Sequence, residues 1–443
     1  MEQAGKSMRG DKDRISSLPD SLIHRIMSFL TAQEAVQTCV LAKRWKNLWT
    51  TLPFLDFDLH KFMCDGEPDD GEWDDSESED ARRNPFHKFR DFVTMAILLR
   101  DSSDLHKFRI SCKRFEQHNY HSLIRSWILY ALKHNPKVLD INAEPADSLP
   151  LAVFTCASLV DASLSSFTSV RTIKVVNLPC LRRLHLNWVI LDQAFIEKLF
   201  FGCPMLEFLH LENCCWEFSS INSRSLKYLK IQCCCLRGEI ERQTFSINTP
   251  NLLSFCYRSC LNVIGCRMFL KMPSLTSASI YSYWPYNGRN NILTGLSKVQ
   301  NLKLSGRSLK ELLENELSSC PDFSYVKNLS VNYLNLSCHF NLFASFLNHF
   351  PNLEKLSLQH VGCSSEDDVD RNQESSKVAP FMGKRLERVD VKFHRSDRCF
   401  PRVVKYLQDI TEKSQAQINI TSLDDWSSQD WDLDISEHVW QHW

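Results

Sequence analysis

The sequence predicts an α/β protein: a three-helix module at the head and a long array of strand–turn–helix repeats behind it. Three observations predict this. Residues 14–58 are dense in apolar residues at helical spacing and carry two helix-start signals. From about residue 86, three apolar positions recur as L-x-x-L-x-L. Finally, 443 residues exceed one ordinary compact core, so several domains or a repeat array are needed.

Hydrophobic residues make up 43% of the chain and charged residues 24%, which suits a folded protein rather than a disordered one. The net charge of −1 argues against general nucleic-acid binding. It conceals an asymmetry: residues 65–80 hold ten acids and no base, and without them the rest stands at about +9. The N-terminus, MEQAGKSMRGDKDR, has no apolar signal core. No run approaches the ~18 apolar residues of a membrane span. The 18 cysteines therefore read as reduced thiols of the cytoplasm or nucleus. The runs Cys214-Cys215 and Cys233-Cys234-Cys235 lack C-x-x-C spacing and read as buried small hydrophobes, not as a zinc site.

Residues 1–13 are expected to be a flexible tail. Ser17-Leu-Pro-Asp20 has the form of a helix start, with Ser as cap and Pro in the first turn. Leu22, Ile26 and Leu30 then recur every fourth residue, flanked by Ile23 and Met27. Thr31-x-x-Glu34 is a second capping box, opening a helix through Val36, Cys39 and Val40. A third helix carries Trp45, Leu48 and Trp49. A unit this small buries too little surface to stand alone, so it must lean on a neighbour or a partner. Residues 59–85, with the acidic run inside them, are expected to repel into an open, disordered loop.

Residues 86–383 carry the repeats. Clear copies start at Leu181, Leu206, Leu226, Leu252, Val299, Val326 and Leu353, and weaker ones at Leu105, Val138, Leu159, Leu275 and Leu386. From Leu159 to Leu386 the starts fall 20 to 33 residues apart, the leucine-rich-repeat period at its long end. Asn213-Cys214 and Cys233 fit the Asn/Cys turn that follows each strand. Segments 194–201 and 342–350 have helical spacing, and Pro204 and Pro351 stop them before the next strand. Such units share one continuous core, giving a solenoid with a curved parallel sheet and outer helices. Residues 384–420 read as strand, helix and closing strand. The tail 421–443 holds Trp426, Trp431, Trp440 and Trp443 among acids.

The head module resembles an F-box of the plant form that precedes leucine-rich repeats. The resembling residues are Leu18-Pro19, Leu22, Ile23, Ile26, Phe29-Leu30, Ala35-Val36, Val40-Leu41, Lys43-Arg44-Trp45, Leu48-Trp49 and Leu55-Asp56-Phe57-Asp58. Residues 384–420 resemble the FBD-type module that caps the repeats in many such proteins, though the acidic residue and glycine usual before its helix are not evident. The resemblance implies a substrate-recognition subunit of an SCF-type cullin ubiquitin ligase. Its F-box would dock a Skp-type adaptor, with Leu18, Pro19, Leu22, Ile23, Ile26 and Leu30 at the contact. Leu18, Pro19 and Ile23 are expected to meet the partner; Trp45 and Trp49 are expected to fill the core.

No phosphate-cradling, dinucleotide, zincin or nucleophile-elbow motif occurs, and 12 glycines are few for phosphate loops. His118-x-x-His121 and His438-x-x-x-His442 lack a third ligand nearby in sequence. No enzyme chemistry, cofactor or metal is expected. Alternation sends the last two apolar residues of each strand inward and their neighbours to the concave face. That face is expected to hold Arg183, His185, Asn187, His210, Glu212, Gln232, Asn332, Lys355, Gln359, Arg388 and Lys392 beside six candidate target contacts: Phe208, Tyr228, Lys230, Arg258, Tyr281 and Lys303. Its basic and aromatic character suits an acidic or phosphorylated segment of a target protein. Two other readings share the scaffold: a small-molecule-dependent receptor, and an interaction protein that recruits no ligase.

Overall fold

The structure, a computed structural model, describes residues 15, 17–63, 79–101, 105–112, 121–143, 149–166, 170–236, 244–259, 267–282, 292–306, 308–334, 339–360, 385–394 and 400–423. The chain forms two compact units. One runs to Thr168 and includes Val175–Leu181; the other holds Ser169–Lys174 and everything from Arg182 onward.

The first unit opens with the helical module. Helix α1 (Asp20–Met27) starts directly after Pro19, where a missing N–H costs nothing, and has Asp20 in its first turn. Helix α2 (Ala32–Gln37) has the expected capping box. Thr31 Oγ1 accepts from the Glu34 N–H at 3.3 Å, and Glu34 Oε2 accepts from the Thr31 N–H at 2.7 Å. The third expected helix is a 3-10 helix, Lys43–Thr51. These elements bury Ile23, Met27, Ala35, Trp45 and Leu52, with Leu18, Leu30, Ala42, Leu48, Trp49 and Phe54 packed around them.

Strand β1 (Phe54–Asp58) follows at once. It pairs in parallel with β2 (Lys107–Cys112), which pairs with β3 (Val138–Ala143) and then β4 (Asp161–Ser165). Helices α3 (Glu79–Leu98) and α4 (His121–Lys133) are the crossovers, burying Phe89, Val93 and Ala96 from one and Ile124, Trp127 and Ile128 from the other. The strand ladder therefore begins inside the segment assigned to the head module, well before residue 86. Of the segment expected to be an open loop, 59–85, Leu59–Met63 is helical and α3 starts at Glu79. Residues 64–78, with most of the acids, lie outside the described residues, as do residues 1–13.

In the second unit the main ladder has ten parallel strands among the described residues: β5 (Arg183–Asn187), β6 (Phe208–Glu212), β7 (Tyr228–Gln232), β8 (Ser254–Ser259), β9 (Ser277–Ser282), β10 (Asn301–Ser305), β11 (Asn328–Leu334), β12 (Lys355–His360), β13 (Arg388–His394) and β14 (Gln417–Leu423). The register is regular enough that one inward column runs from Leu184 through Leu209, Leu229 and Phe255 to Leu356 and Val389. Each such buried side chain stabilises the stack by about 1.5–3 kcal/mol. Helices α5 (Gln193–Gly202), α6 (Leu309–Glu316) and α7 (Phe340–Leu347) return the chain in three of the repeats. Asp192 caps α5, its Oδ1 accepting from the Phe195 N–H at 2.7 Å.

Several returns also carry short strands, which the periodicity did not predict. Ile190–Asp192, Cys215–Glu217 and Cys235–Leu236 form one small parallel sheet; Ser220–Asn222, Thr244–Asn248 and Arg267–Lys271 form another. Trp188, Asn213, Cys233 and Gly306, each just after a ladder strand, have positive φ. The residue after Asn213 and Cys233 is a buried cysteine whose thiol donates to the previous rung: Cys214 to the Leu186 carbonyl at 3.3 Å, Cys234 to the Leu211 carbonyl at 3.4 Å. Cys234, not Cys233, is thus the bridging thiol of its repeat. At the C-terminal end, α8 (Phe400–Ser414) joins β13 to β14 and buries Val403, Leu407 and Ile410. The segment read as a separate cap adds two further rungs to the same ladder. Of the Trp-rich tail, residues 424–443 lie outside the described residues.

Candidate functional site

Two surfaces collect the residues singled out from the sequence, one in each unit. On the head module, α1 divides its apolar residues between two neighbouring stripes. Ile23 and Met27 face inward and are fully buried; Leu22 and Ile26 face outward at 47% and 45% exposure. Ile23 is therefore core and not a surface contact of the folded module, which corrects the expectation that it meets a partner. Pro19 is exposed, while Leu18 and Leu30 are half-buried against the core. Three outward residues extend the apolar surface beyond the expected set: Phe29 (84% exposed), Val40 (83%) and Leu41 (64%). Their signal in the sequence was an apolar residue at each point where a helix ends. Trp45 is 3% exposed and Trp49 packs beside it, so both serve the core.

Polar contacts hold α1 against the 3-10 segment: an Arg44–Asp20 ion pair, and His24 Nε2 at 3.2 Å from Thr51 Oγ1. A cavity bounded by Leu30, Ala35, Trp49, Leu55 and Ala96 offers about 10 Å³, room for no more than a water molecule. In the same unit Arg109 bridges three carboxylates across β1–β3: Asp56 at 3.2 Å, Asp58 at 3.4 Å and Asp140 at 3.2 Å. Burial pushes the Asp56 carboxyl above its ordinary value, and Arg109 offsets that only in part.

In the second unit, the alternation predicted for the ladder holds: Leu184, Leu186, Leu229 and Ile231 are buried and their neighbours half-buried. The six candidate target contacts fall into two clusters. Phe208 and Tyr228, register mates on β6 and β7, stack with centroids 4.2 Å apart and 9° between planes. Lys230 lies two residues along β7 from Tyr228, on the same face. In the other cluster the Tyr281 ring has a cation near it from each neighbouring strand: the Arg258 guanidinium at 5.4 Å and Lys303 Nζ at 5.6 Å. Further along, Asp390 takes Arg388 at 2.8 Å and Lys355 at 3.7 Å, so those two expected cations are ion-paired. Burial works against the Asp390 charge, but the Asn419 hydrogen bond and the two cations outweigh it and hold the carboxyl below its ordinary value.

One cluster on this face was not singled out from the sequence. The rings of His185 and His210 stack at 4.3 Å with 12° between planes, and His185 Nε2 lies 2.9 Å from Glu212 Oε2. His210 is buried at 8% exposure; burial first, then the neighbouring His185 and Lys230 charges, push its pKa down to about 2 and keep the ring neutral. Its partners lie on adjacent strands far apart in sequence, so no local motif marks it.

Residues 15–57 match the F-box domain family. Residues 125–277 match the family described as "FBD-associated F-box protein At5g56370, LRR repeats". Among curated relatives, a putative F-box protein of Arabidopsis thaliana is 34% identical over 270 residues, covering 56% of this chain and 51% of that protein. The chain thus spans about half the length of that relative. Two F-box/FBD/LRR-repeat proteins of the same plant match over more. One is 28% identical over 416 residues, 88% of this chain and 86% of its own length. The other is 28% identical over 412 residues, 86% and 84%.

Proposed function

We propose that this F-box and leucine-rich-repeat chain is the substrate-recognition subunit of an SCF-type cullin ubiquitin ligase. In this reading the F-box docks a Skp-type adaptor, and through it a cullin, while the repeats hold a target protein. Proteins of this architecture are generally non-catalytic, and here the chain contributes position. Holding a target lysine near activated ubiquitin raises its effective concentration and orients it. The reading places the chain in the cytoplasm or nucleus; no helix among the described residues is long and apolar enough to cross a membrane.

The observation that carries this reading is the outward apolar surface of Leu22, Ile26, Phe29, Val40 and Leu41, inside residues that match the F-box. Five largely exposed apolar side chains on so small a module call for a covering partner. Pro19, Leu22 and Ile26 are the direct adaptor contacts, Leu18 and Leu30 line their edge, and Ile23 supports them from behind. The Phe208–Tyr228 stack, Lys230 and the Arg258–Tyr281–Lys303 cluster receive an acidic or phosphorylated segment of the target.

Co-purification of a Skp-type adaptor with the full chain tests the reading. Leu22→Arg with Ile26→Arg should abolish adaptor retention while circular dichroism stays unchanged. Retention by that double variant would overturn the docking surface. Reversing Lys230, Arg258 and Lys303 to Glu should keep the adaptor and change the proximity-labelled partners; an unchanged partner set would remove the target face.

A further inference from the structure

Parallel pairing of β5 with β6 sets His185 beside His210 and Asn187 beside Glu212. His210 and Glu212, two apart on one strand, emerge on the same face, so two imidazoles and a carboxylate converge. One donor atom from each lies within 4.8 Å of the others. We propose that His185, His210 and Glu212 form a binding site for a divalent transition-metal cation of the zinc class. Imidazole nitrogen with carboxylate oxygen is the borderline donor set such ions prefer. Three protein ligands leave a coordination position open.

Imidazole lone pairs lie in the ring plane, so the near-parallel stack of His185 on His210 has to open, by rotation about the side-chain torsions, for both nitrogens to reach one ion. Metal–ligand bonds of about 2.0–2.2 Å in a tetrahedral site separate donors by roughly 3.4 Å. The His185–Glu212 pair, now 2.9 Å apart, opens slightly, and the widest pair closes through side-chain torsions. On binding, the hydrogen bond between His185 and Glu212 is exchanged for two metal bonds: the Nε2 proton that the carboxylate accepts is lost to solvent, the neutral ring carries its one proton on Nδ1, and the freed Nε2 lone pair and the carboxylate both turn to the cation. Gln232 Nε2, 3.5 Å from Glu212 Oε1, steadies the carboxylate from the neighbouring strand. Lys230, the register mate of His210 on β7, places a positive charge beside the site and opposes the cation. The site does not rest on the ligase reading.

The test uses the full chain, freed of metal with a chelator and titrated with Co²⁺ and then Zn²⁺. The expected result is one equivalent of Co²⁺ showing visible d–d bands without a thiolate-to-cobalt charge-transfer band, displaced by Zn²⁺. Glu212→Gln and His185→Gln should each abolish those bands, Gln232→Ala should weaken Zn²⁺ about tenfold, and Lys230→Gln should tighten it. Three outcomes overturn the proposal: no bands in the unaltered chain, a thiolate band that reports cysteine ligation, or bands indifferent to both ligand substitutions. Should His185→Gln disturb the stack, Glu212→Gln, which preserves side-chain shape, decides.

Discussion

Leu22 and Ile23 are neighbours in sequence with opposite roles. Ile23 has no exposed surface and lies among Met27, Ala35, Trp45 and Leu52, whereas Leu22 is 47% exposed. Removing a buried isoleucine leaves a cavity, so Ile23→Ala should cost about 2–5 kcal/mol. Leu22→Ala should stay within about 0.5 kcal/mol, since it empties no core space. Urea unfolding midpoints of the two variants measure the difference, and equal losses would contradict the division of α1 into an inner and an outer stripe. The apolar character of both stripes was legible in the sequence. Which stripe turned inward was not, because the two lie one residue apart around the helix, and only the packing of α2 and the 3-10 segment separates them. The ladder face was easier to read. Strict alternation with period two sends His185, Tyr228 and Lys230 outward whatever packs behind them.

At the scale of elements, the repeats are tied together by polar groups as well as by the apolar column. Helix α6 ends at Glu316, which is 3% exposed. Its carboxylate accepts from the Ile292 N–H at 3.1 Å and the Leu293 N–H at 2.9 Å, and so caps the 3-10 turn Leu293–Leu296 of the preceding repeat. A buried carboxylate serving two backbone donors is a costly thing to lose. Glu316→Ala should lower stability by about 3 kcal/mol in chemical denaturation, because both N–H groups are left without an acceptor. A loss below about 1 kcal/mol would mean that water replaces the cap. Nothing in the local sequence marks Glu316, since its partners lie 24 and 23 residues earlier. The Thr31–Glu34 box, by contrast, was legible because both members and their donors fall within one helical turn. The strand returns at Cys215–Glu217 and Thr244–Asn248 were missed for a related reason. They are short, and their pairing partners sit one repeat away.

For the whole molecule, the consequential finding is where the ladder starts. Phe54–Asp58 is both the end of the segment that resembles an F-box and the first strand beside β2. Phe54 packs on the module core, while Leu55 and Phe57 are buried beneath the ladder. Deletion of residues 1–58 therefore removes a strand and bares the edge of β2, whereas deletion of residues 1–53 leaves it covered. The longer deletion should elute as aggregate in size-exclusion chromatography and melt lower than the shorter one; equal behaviour would show that β1 is dispensable. The sequence by itself determined what depends on spacing along the chain: the repeat period, the alternation of each strand and the helical stripes of the head module. Tertiary structure alone decided what depends on neighbours in the stack. It turned Ile23 inward, made Leu55–Asp58 a rung, set Tyr281 between Arg258 and Lys303, and brought His185 to His210 and Glu212. The physical reason is common to all four. Periodicity states which residues share one side of an element, but the neighbour opposite is chosen by how elements pack, helix against helix for Ile23 and register between strands for the other three, at sequence separations no local pattern records.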